Sequence, residues 1–483
     1  MSKLARRWRN FFRPGNDLFG CVLVALSMVL WFEGKNLRSL NIFIGIVVIF
    51  WFTVHLLSKT KLFSKKESDL KTPSMKRKFK LFSFIVVILV ALLVLSTGIV
   101  INVLEDFGGE PSNHDSPNFK DGVFENLQTT GGQSENGSTW DLLGGYMVSD
   151  DCRTPNEELR SEKYEINGLE HDEISITWFG HSTVLIRSNN ISIITDPVFN
   201  ELGAGPLSLG PAPFPYEHSY SVDELPKIDY VFISHDHYDH LDMSTVKELK
   251  DSQFLVPLGI KNHLLRWEIE EENVQELDWY DEVNLTEELQ VALTPARHFS
   301  GRGLEDSHST LWGSWVFKFH EKSIFFSGDT GFMEEFITIG EKYGPFDIAL
   351  LDSGQYNTAW HDVHMFPEEV VQAAMDLNAS VILPIHISKY ELALHHWYEP
   401  LEAISQIGGD KNIPVATPLL GSNFIMGEEI PNETWWRGIS DCTEPFLDEN
   451  PMAEYVLFAI GLAGIFWVVV PRVNDRQSIL EEE

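Results

Sequence analysis

Basic charge is in short supply. The 483 residues hold 36 Lys and Arg against 71 Asp and Glu, a formal net charge of −35. Such a chain is a poor partner for a phosphate backbone, which sets nucleic acid aside as a ligand. Cysteine is scarcer still, with only Cys21, Cys152 and Cys442. None lies beside the histidine-rich stretch at 234–242, so no thiolate demands a soft-metal site. A Gly-x-Ser-x-Gly elbow is missing, and with it the signature of a serine nucleophile. No repeat recurs at solenoid spacing. What remains is an ordinary folded composition, 43% hydrophobic and 22% charged, which excludes disorder and allows two to four domains.

The charge is unevenly spread. Residues 1–104 carry 16 Lys and Arg against 4 Asp and Glu, a net of +12 that leaves −47 for the remainder. Four apolar runs lie at 18–32, 41–57, 81–104 and 455–470, and a helix needs roughly 20 apolar residues to cross a bilayer. They are expected to form transmembrane helices, three in an N-terminal membrane region (1–104) and one near the C-terminus (453–483). Basic clusters from Lys3 to Arg13 and from Lys59 to Lys80 belong on the cytoplasmic side. The third run then exports the acidic body, and the fourth returns the tail. The expectation is an integral protein of the cell membrane with both termini cytoplasmic and its acidic body extracytoplasmic. On that oxidising side Cys152 and Cys442, which flank the body, are candidates for a disulfide.

Residues 105–150, with their Gly, Ser, Asn and Asp, read as a linker and lead-in, and 151–452 as one large domain. Short β-rich runs begin at Ile174. They are Ile174–Thr177, Thr183–Arg187, Ile191–Thr195, Tyr230–Ser234, Gln253–Val256, Val291–Thr294, Ser314–Phe319, Ser323–Ser327, Ile348–Leu351, Val381–Pro384 and Asn423–Met426. Helical patterns sit between them at Met243–Asp251, Pro367–Leu377 and Leu401–Ile407. The class is α+β, with two sheets or one large sheet covered by helices and the chemistry in loops at strand ends.

The densest chemistry comes directly after the apolar run at 230–233. There the chain reads Ser-His-Asp-His-Tyr-Asp-His-Leu-Asp, residues 234–242. A loop leaving a strand can aim His235 and His237 one way and Asp239 and His240 another, which serves two adjacent divalent ions from one peptide. Neutral imidazole and carboxylate suit zinc. Three further strand ends each supply one imidazole or acid: His298 after Val291–Thr294, Asp329 after Ser323–Ser327, and His386 after Val381–Pro384. Four independent tips argue against a solvated polar loop.

With these residues in place, the sequence resembles the metallo-β-lactamase superfamily over roughly 118–430. Within it, the sequence is similar to the N-acylphosphatidylethanolamine-hydrolysing phospholipase D group and its bacterial relatives, with the ascorbate-phosphate lactonases nearby. The likeness rests on Phe-Lys-Asp-Gly-Val-Phe-Glu-Asn (119–126), Trp-Phe-Gly-His-Ser-Thr (178–183) and Thr-Asp-Pro-Val-Phe (195–199). Arg-His-Phe-Ser-Gly-Arg (297–302), Leu-Trp-Gly-Ser-Trp (311–315), His-Met-Phe-Pro-Glu-Glu (364–369) and Pro-Ile-His (384–386) continue it. The stretch 351–356 departs from the group, and so do the terminal apolar runs.

The resemblance implies an αββα sandwich. It implies two zinc ions, one held by His235, His237 and His298, the other by Asp239, His240 and His386, with Asp329 between them. Di-iron members carry Glu where this chain has His237, so a hydrolase is implied. Asp239 and His364 are the catalytic candidates, although His364 fits a helix cap nearly as well. Arg297, Arg302 and Tyr356 are candidates to hold substrate, with surface pairing as the rival for the arginines. Asp196 is expected to hydrogen-bond a ligand histidine and His181 to order its loop. His395 and His396 read as structural. The function expected is a membrane-anchored phosphodiesterase acting through a metal-bound hydroxide on a membrane-embedded or amphipathic substrate at the bilayer, such as an N-acylphosphatidylethanolamine-type phospholipid. A lactone or amide hydrolase with the same centre, and a non-catalytic receptor or scaffold, stay open as alternatives.

Overall fold

The structure is a computed structural model that describes residues 105–131 and 152–439, apart from 167, 172, 189, 207–209, 304–305 and 320. The apolar runs at 18–32, 41–57, 81–104 and 455–470 lie outside the described residues. Among those described, no helix is long and apolar enough to cross a membrane. Cys152 is disulfide-bonded, and its partner lies outside the described residues.

A two-stranded hairpin, β1 (Phe119–Lys120) and β2 (Val123–Phe124), precedes two large sheets. The first sheet contains β3 (Ser175–Trp178), β4 (Val184–Arg187), β5 (Ser192–Thr195), β6 (Tyr230–Phe232), β7 (Gln253–Pro257), β8 (Val274–Leu277) and the late strand β15 (Asn423–Ile425). Its order is β15-β3-β4-β5-β6-β7-β8, antiparallel as far as β5 and parallel from there to β8. The second contains β9 (Glu282–Asn284), β10 (Leu289–Thr294), β11 (Ser314–Phe319), β12 (Lys322–Phe326), β13 (Ile348–Asp352) and β14 (Ile382–Ile385). Its order is β14-β13-β12-β11-β10-β9, with β12, β13 and β14 parallel.

Burial explains the layering. Every residue of β3, β5, β13 and β14 is buried, so these strands are covered on both faces and read as continuous rather than alternating apolar runs. Between the sheets, Phe232 meets Trp315 and Phe317 edge-on with ring centroids 5.0 and 4.8 Å apart. Trp315 Nε1 donates to the Ile233 carbonyl across the same interface. The other face of the second sheet, through Val316, Phe325, Ala349 and Leu351, packs against α3 (Glu335–Tyr343), α4 (Pro367–Asp376) and α5 (Glu399–Lys411). Two short helices, α1 (Met243–Glu248) and α2 (Lys261–Arg266), come after β6 and β7. The expected αββα sandwich is the fold observed. The eleven expected strands are all present to within two residues at each end, and among the described residues β1, β2, β8, β9, α2 and α3 are additional.

Candidate metal centre

The ligand loop is held at both ends. Ile233 N donates to Leu255 O at its start. At its finish, Asp242 caps α1 by accepting from Thr245 N and Thr245 Oγ1 at 2.8 and 2.7 Å, which satisfies an otherwise orphaned helix donor. Asp236, between the two histidines, is fully buried and accepts from Gly301 N (2.7 Å) and Thr310 Oγ1 (2.9 Å). Burial opposes its charge, but His263 and these donors outweigh it and lower its pKa to about 2. The loop backbone therefore has little freedom, and the side chains of His235, His237, Asp239 and His240 are left for another task.

That task centres on Asp329, just beyond β12. Its Oδ1 lies 3.1 Å from His240 Nε2 and 3.0 Å from His386 Nδ1, while Oδ2 lies 3.8 Å from both His235 Nε2 and His298 Nε2. One carboxylate thus faces two separate sets of nitrogens. His235, His237, His298 and Asp329 offer atoms all within 4.8 Å of one another, and so do His181, Asp239, His240 and His386.

The hydrogen bonds around these rings test whether cations belong there. Asp196 accepts from His240 Nδ1 at 2.7 Å and from Ser234 Oγ at 2.6 Å, and Ser234 Oγ accepts from His235 Nδ1 at 2.9 Å. His298 Nδ1 donates to Val363 O at 3.2 Å. These outer bonds turn the Nε2 lone pairs of His235, His240 and His298 inward, the usual way a protein presents imidazole to a metal. On one side His237 Nδ1 stands 2.8 and 3.3 Å from the Nε2 atoms of His235 and His298, so three nitrogens converge where one proton cannot serve all. On the other, His240 Nε2, Asp329 Oδ1 and His386 Nδ1 are buried without a hydrogen-bond partner, an arrangement that native proteins rarely tolerate. Divalent cations satisfy both sets, and the N/O donor chemistry fits them.

The electrostatics agree. Burial holds His235, His298 and His386 well below the ordinary histidine range and His237 and His181 near 4, so these rings are neutral at physiological pH, the form in which imidazole can hold a cation. Asp329 is pushed up to about 7 by burial, against the pull of His240. Two turns at the centre also sit in left-handed backbone, at His181 (φ 53°) and His386 (φ 62°). They bond each other's strands, His181 N to Ile387 O at 2.8 Å and His386 N to His181 O at 3.0 Å. Such φ values cost about 1 kcal/mol or more for a residue with a side chain, and they cluster at functional sites.

Comparison with known proteins decides the family. A family model described as a beta-lactamase superfamily domain matches residues 192–387. An uncharacterized protein of Mycobacterium tuberculosis is 37% identical over 338 residues, covering 67% of this chain and 88% of the relative. The N-acyl-phosphatidylethanolamine-hydrolyzing phospholipase D 1 of Caenorhabditis elegans is 33% identical over 250 residues, 48% of this chain and 68% of that one. The mitochondrial N-acyl-phosphatidylethanolamine-hydrolyzing phospholipase D of Saccharomyces cerevisiae is 34% identical over 250 residues, 49% of this chain and 53% of its own length. The chain belongs to the metallo-β-lactamase superfamily. It is a metal-dependent hydrolase, and the scaffold alternative falls away.

In this superfamily hydrolase the centre opens into a cleft of about 640 Å³. Phe299, Trp360, Val363 and Leu392 line it together with His308, Gln355, Thr130, Gly131 and the metal-facing groups. His364 lies on its wall, stacked on His386 with the rings nearly parallel (6°, 5.0 Å). Burial disfavours charge on His364, but the Asp352 carboxylate more than offsets this and raises its pKa. His181 Nε2 meets Asp239 Oδ2 at 2.9 Å, so it steadies a metal-facing carboxylate, and Asp196 steadies His240.

None of the three substrate-binding candidates, Arg297, Arg302 and Tyr356, is among the residues that line the cleft. Arg302 is buried and gives its guanidinium to the carbonyls of Asp106, Asp236 and Leu241, flat over Tyr238 at 3.9 Å. Tyr356 donates to Glu399 at 2.7 Å and stacks on His395, away from the cleft. Arg297 holds Thr129 O, Thr130 Oγ1 and Asp362. A flexible cation next to a ligand looks like an anion receptor in sequence; here each guanidinium is committed to the protein itself. Asp352 and the aromatic wall were the residues missed, because single acids and aromatics in loops carry no periodic signal.

Proposed function

We infer that this hydrolase cleaves a phosphodiester in an N-acylphosphatidylethanolamine-type phospholipid, using two zinc ions, at the extracytoplasmic face of the membrane that anchors it. One observation carries the reading: the two oxygens of Asp329 face two nitrogen sets in a cleft that is also lined by Phe299, Trp360, Val363 and Leu392. An amphipathic molecule fits that lining, with its polar junction at the metal-facing groups and its chains against Phe299, Trp360 and Leu392. When bound, the zinc pair supplies Lewis acidity and brings the pKa of water toward neutrality. The chain's own groups do the rest. Asp239, kept ionised by His240 and held by His181, aims the attacking water. His364, with Nδ1 fixed on Asp352, directs Nε2 to the leaving oxygen. The relatives whose names specify this lipid chemistry support the substrate class, and the basic residues 59–80 with the apolar run after them support the orientation.

The test is turnover by the full chain loaded with zinc, in mixed micelles, on N-acylphosphatidylethanolamine, bis(p-nitrophenyl) phosphate and a simple lactone. Cleavage of both phosphodiesters is expected. Turnover of the lactone alone would replace this reading with the lactonase one.

A further inference from the structure

The segment 105–131, part of the stretch read from sequence as a linker and lead-in, precedes the family-model match at 192–387 and yet touches the three-histidine half of the centre from two sides. At its start, Trp267 Nε1 donates to Glu105 O and Lys247 pairs with the Glu105 carboxylate at 3.1 Å. Asp106 O receives the Arg302 guanidinium, whose other arm reaches the carbonyls of Asp236 and Leu241 in the His235–His240 loop at 2.7 and 2.8 Å. Gly109 N donates to His263 Nδ1 at 2.8 Å, and His263 Nε2 lies 3.4 Å from Asp236 Oδ2. The approach is close enough to require glycine: a Cβ on Gly108 would lie 2.0 Å from the His263 ring, and one on Gly109 2.1 Å from Asn262 O.

At its other end the segment reaches a metal-facing residue directly. Asn126 Nδ2 donates to His298 O at 2.7 Å, and Asn126 Oδ1 accepts from His298 N at 3.2 Å and from Trp312 Nε1 at 3.1 Å. One side-chain amide therefore brackets both main-chain polar groups of His298, as a neighbouring strand would. Beyond it, Arg297 takes Thr129 O at 2.7 Å, Gly131 N donates to Asp362 Oδ2 at 2.8 Å, and Thr130 and Gly131 form part of the cleft wall.

We propose that residues 105–131 are a brace belonging to the metal centre, and that Asn126 is a positioning residue that sets the affinity of the His235–His237–His298 half for its cation by fixing the His298 backbone. This rests on the dinuclear reading of the centre. His298 sits in a loop after β10, and among the described residues the outward nitrogen of its ring bonds to Val363 O. Without the Asn126 clamp, its Nε2 no longer has a fixed distance from those of its two partners. Outer-shell partners of metal ligands are typically worth about 10–100-fold in metal affinity. The half formed by Asp239, His240 and His386 has no contact with Asn126 among the hydrogen bonds described and is held instead by Asp196 and His181.

The experiment uses the full-length chain in detergent, loaded with Co(II), and compares wild type with Asn126→Ala by chelator titration monitored in the visible spectrum. Wild type releases two ions. The variant is expected to release one of them at about tenfold higher free-metal concentration while the other is unmoved, with kcat reduced, KM nearly unchanged, and activity restored by excess metal. Two outcomes overturn the proposal: release curves that coincide with wild type, or equal weakening of both ions together with a lowered melting temperature, which would make the segment a general support. Asn126→Ser carries the same measurement should the alanine variant fail to fold. A wild-type chain that binds no metal would instead overturn the reading of the centre itself.

Discussion

His364 Nδ1 donates to Asp352 Oδ2 at 2.9 Å, and the same oxygen accepts from Thr330 N at 3.0 Å. Asp352 is the last residue of β13 and has no exposure at all, so its carboxylate fixes the His364 ring and leaves Nε2 for the cleft. A buried acid holding one histidine nitrogen sets which nitrogen acts, as in other acid-orienting pairs. Asp352→Asn keeps the shape and removes the charge. The expected outcome in steady-state kinetics is a kcat lowered about 100-fold or more with KM little changed, the lower end of what general acid–base help typically contributes. An unchanged kcat would make His364 a helix-capping residue only.

Asp329 is the group both halves of the centre share. Asp329→Asn removes its charge and puts a donor amide where a second acceptor stood, next to the inward-facing nitrogens of His235, His240, His298 and His386. Elemental analysis should find fewer metal ions per chain than in wild type. Hydrolysis should fall by about three orders of magnitude, in line with loss of transition-state charge stabilisation. Full metal content with full activity would contradict the bridging role.

Phe299 is 37% exposed at the cleft and packs edge-on to His237 with centroids 4.7 Å apart. An acyl chain covering it would bury apolar surface worth about 1–2 kcal/mol. Phe299→Ser should therefore raise KM for a long-chain lipid about tenfold and leave turnover of bis(p-nitrophenyl) phosphate nearly untouched. Equal effects on both substrates would place the chains elsewhere.

Lys389 is buried, donates to Val198 O and faces the rings of Phe199 and Tyr390. Burial lowers its pKa from 10.5 to about 8, with Asp242 pulling the other way. Below pH 8 the folded and unfolded chains both carry this proton and the folded one bears its desolvation. Between 8 and 10.5 the unfolded chain binds more, so wild-type stability gains with pH. Lys389→Met should stabilise the protein by about 1–2 kcal/mol at pH 7, allowing for the bond lost at Val198. Its advantage in chemical denaturation should shrink between pH 8 and 10.5. An advantage that is constant with pH would show that burial does not lower the pKa of this lysine.

Cys152 is disulfide-bonded. Non-reducing peptide mapping is expected to recover it linked to Cys442, consistent with an extracytoplasmic body. A Cys152 thiol found free in protein isolated from cells would remove that support for the orientation.

The sequence made the centre far more legible than the cleft, for physical reasons. His235, His237, Asp239 and His240 sit in one loop after a buried strand, and His298, Asp329 and His386 each come after another, so strand periodicity announces all seven positions. Strands β8 and β9 are harder to see. Val274–Leu277 has apolar residues only at its ends, and Glu282–Asn284 is an edge strand with one apolar residue in three and little burial. Helix α3 contains Thr338 and Gly340, poor helix formers, and has no side-chain N-cap; its helicity comes from Phe336, Ile339 and Tyr343 packing on the second sheet. Asn126, Arg302 and Asp352 act through main-chain atoms or partners far away in sequence. No local pattern reveals such bonds, and Arg302 accordingly suggested an anion site where the fold uses it as a clamp.

Phosphodiester hydrolysis at the Asp329 centre is tested most directly by incubating the zinc-loaded, full-length chain with N-acylphosphatidylethanolamine in ¹⁸O-labelled water and determining the products by mass spectrometry. The account predicts one labelled oxygen in phosphatidic acid and none in the N-acylethanolamine, because water attacks phosphorus. Label in a released fatty acid, or no turnover by a chain holding both metal ions, would contradict it.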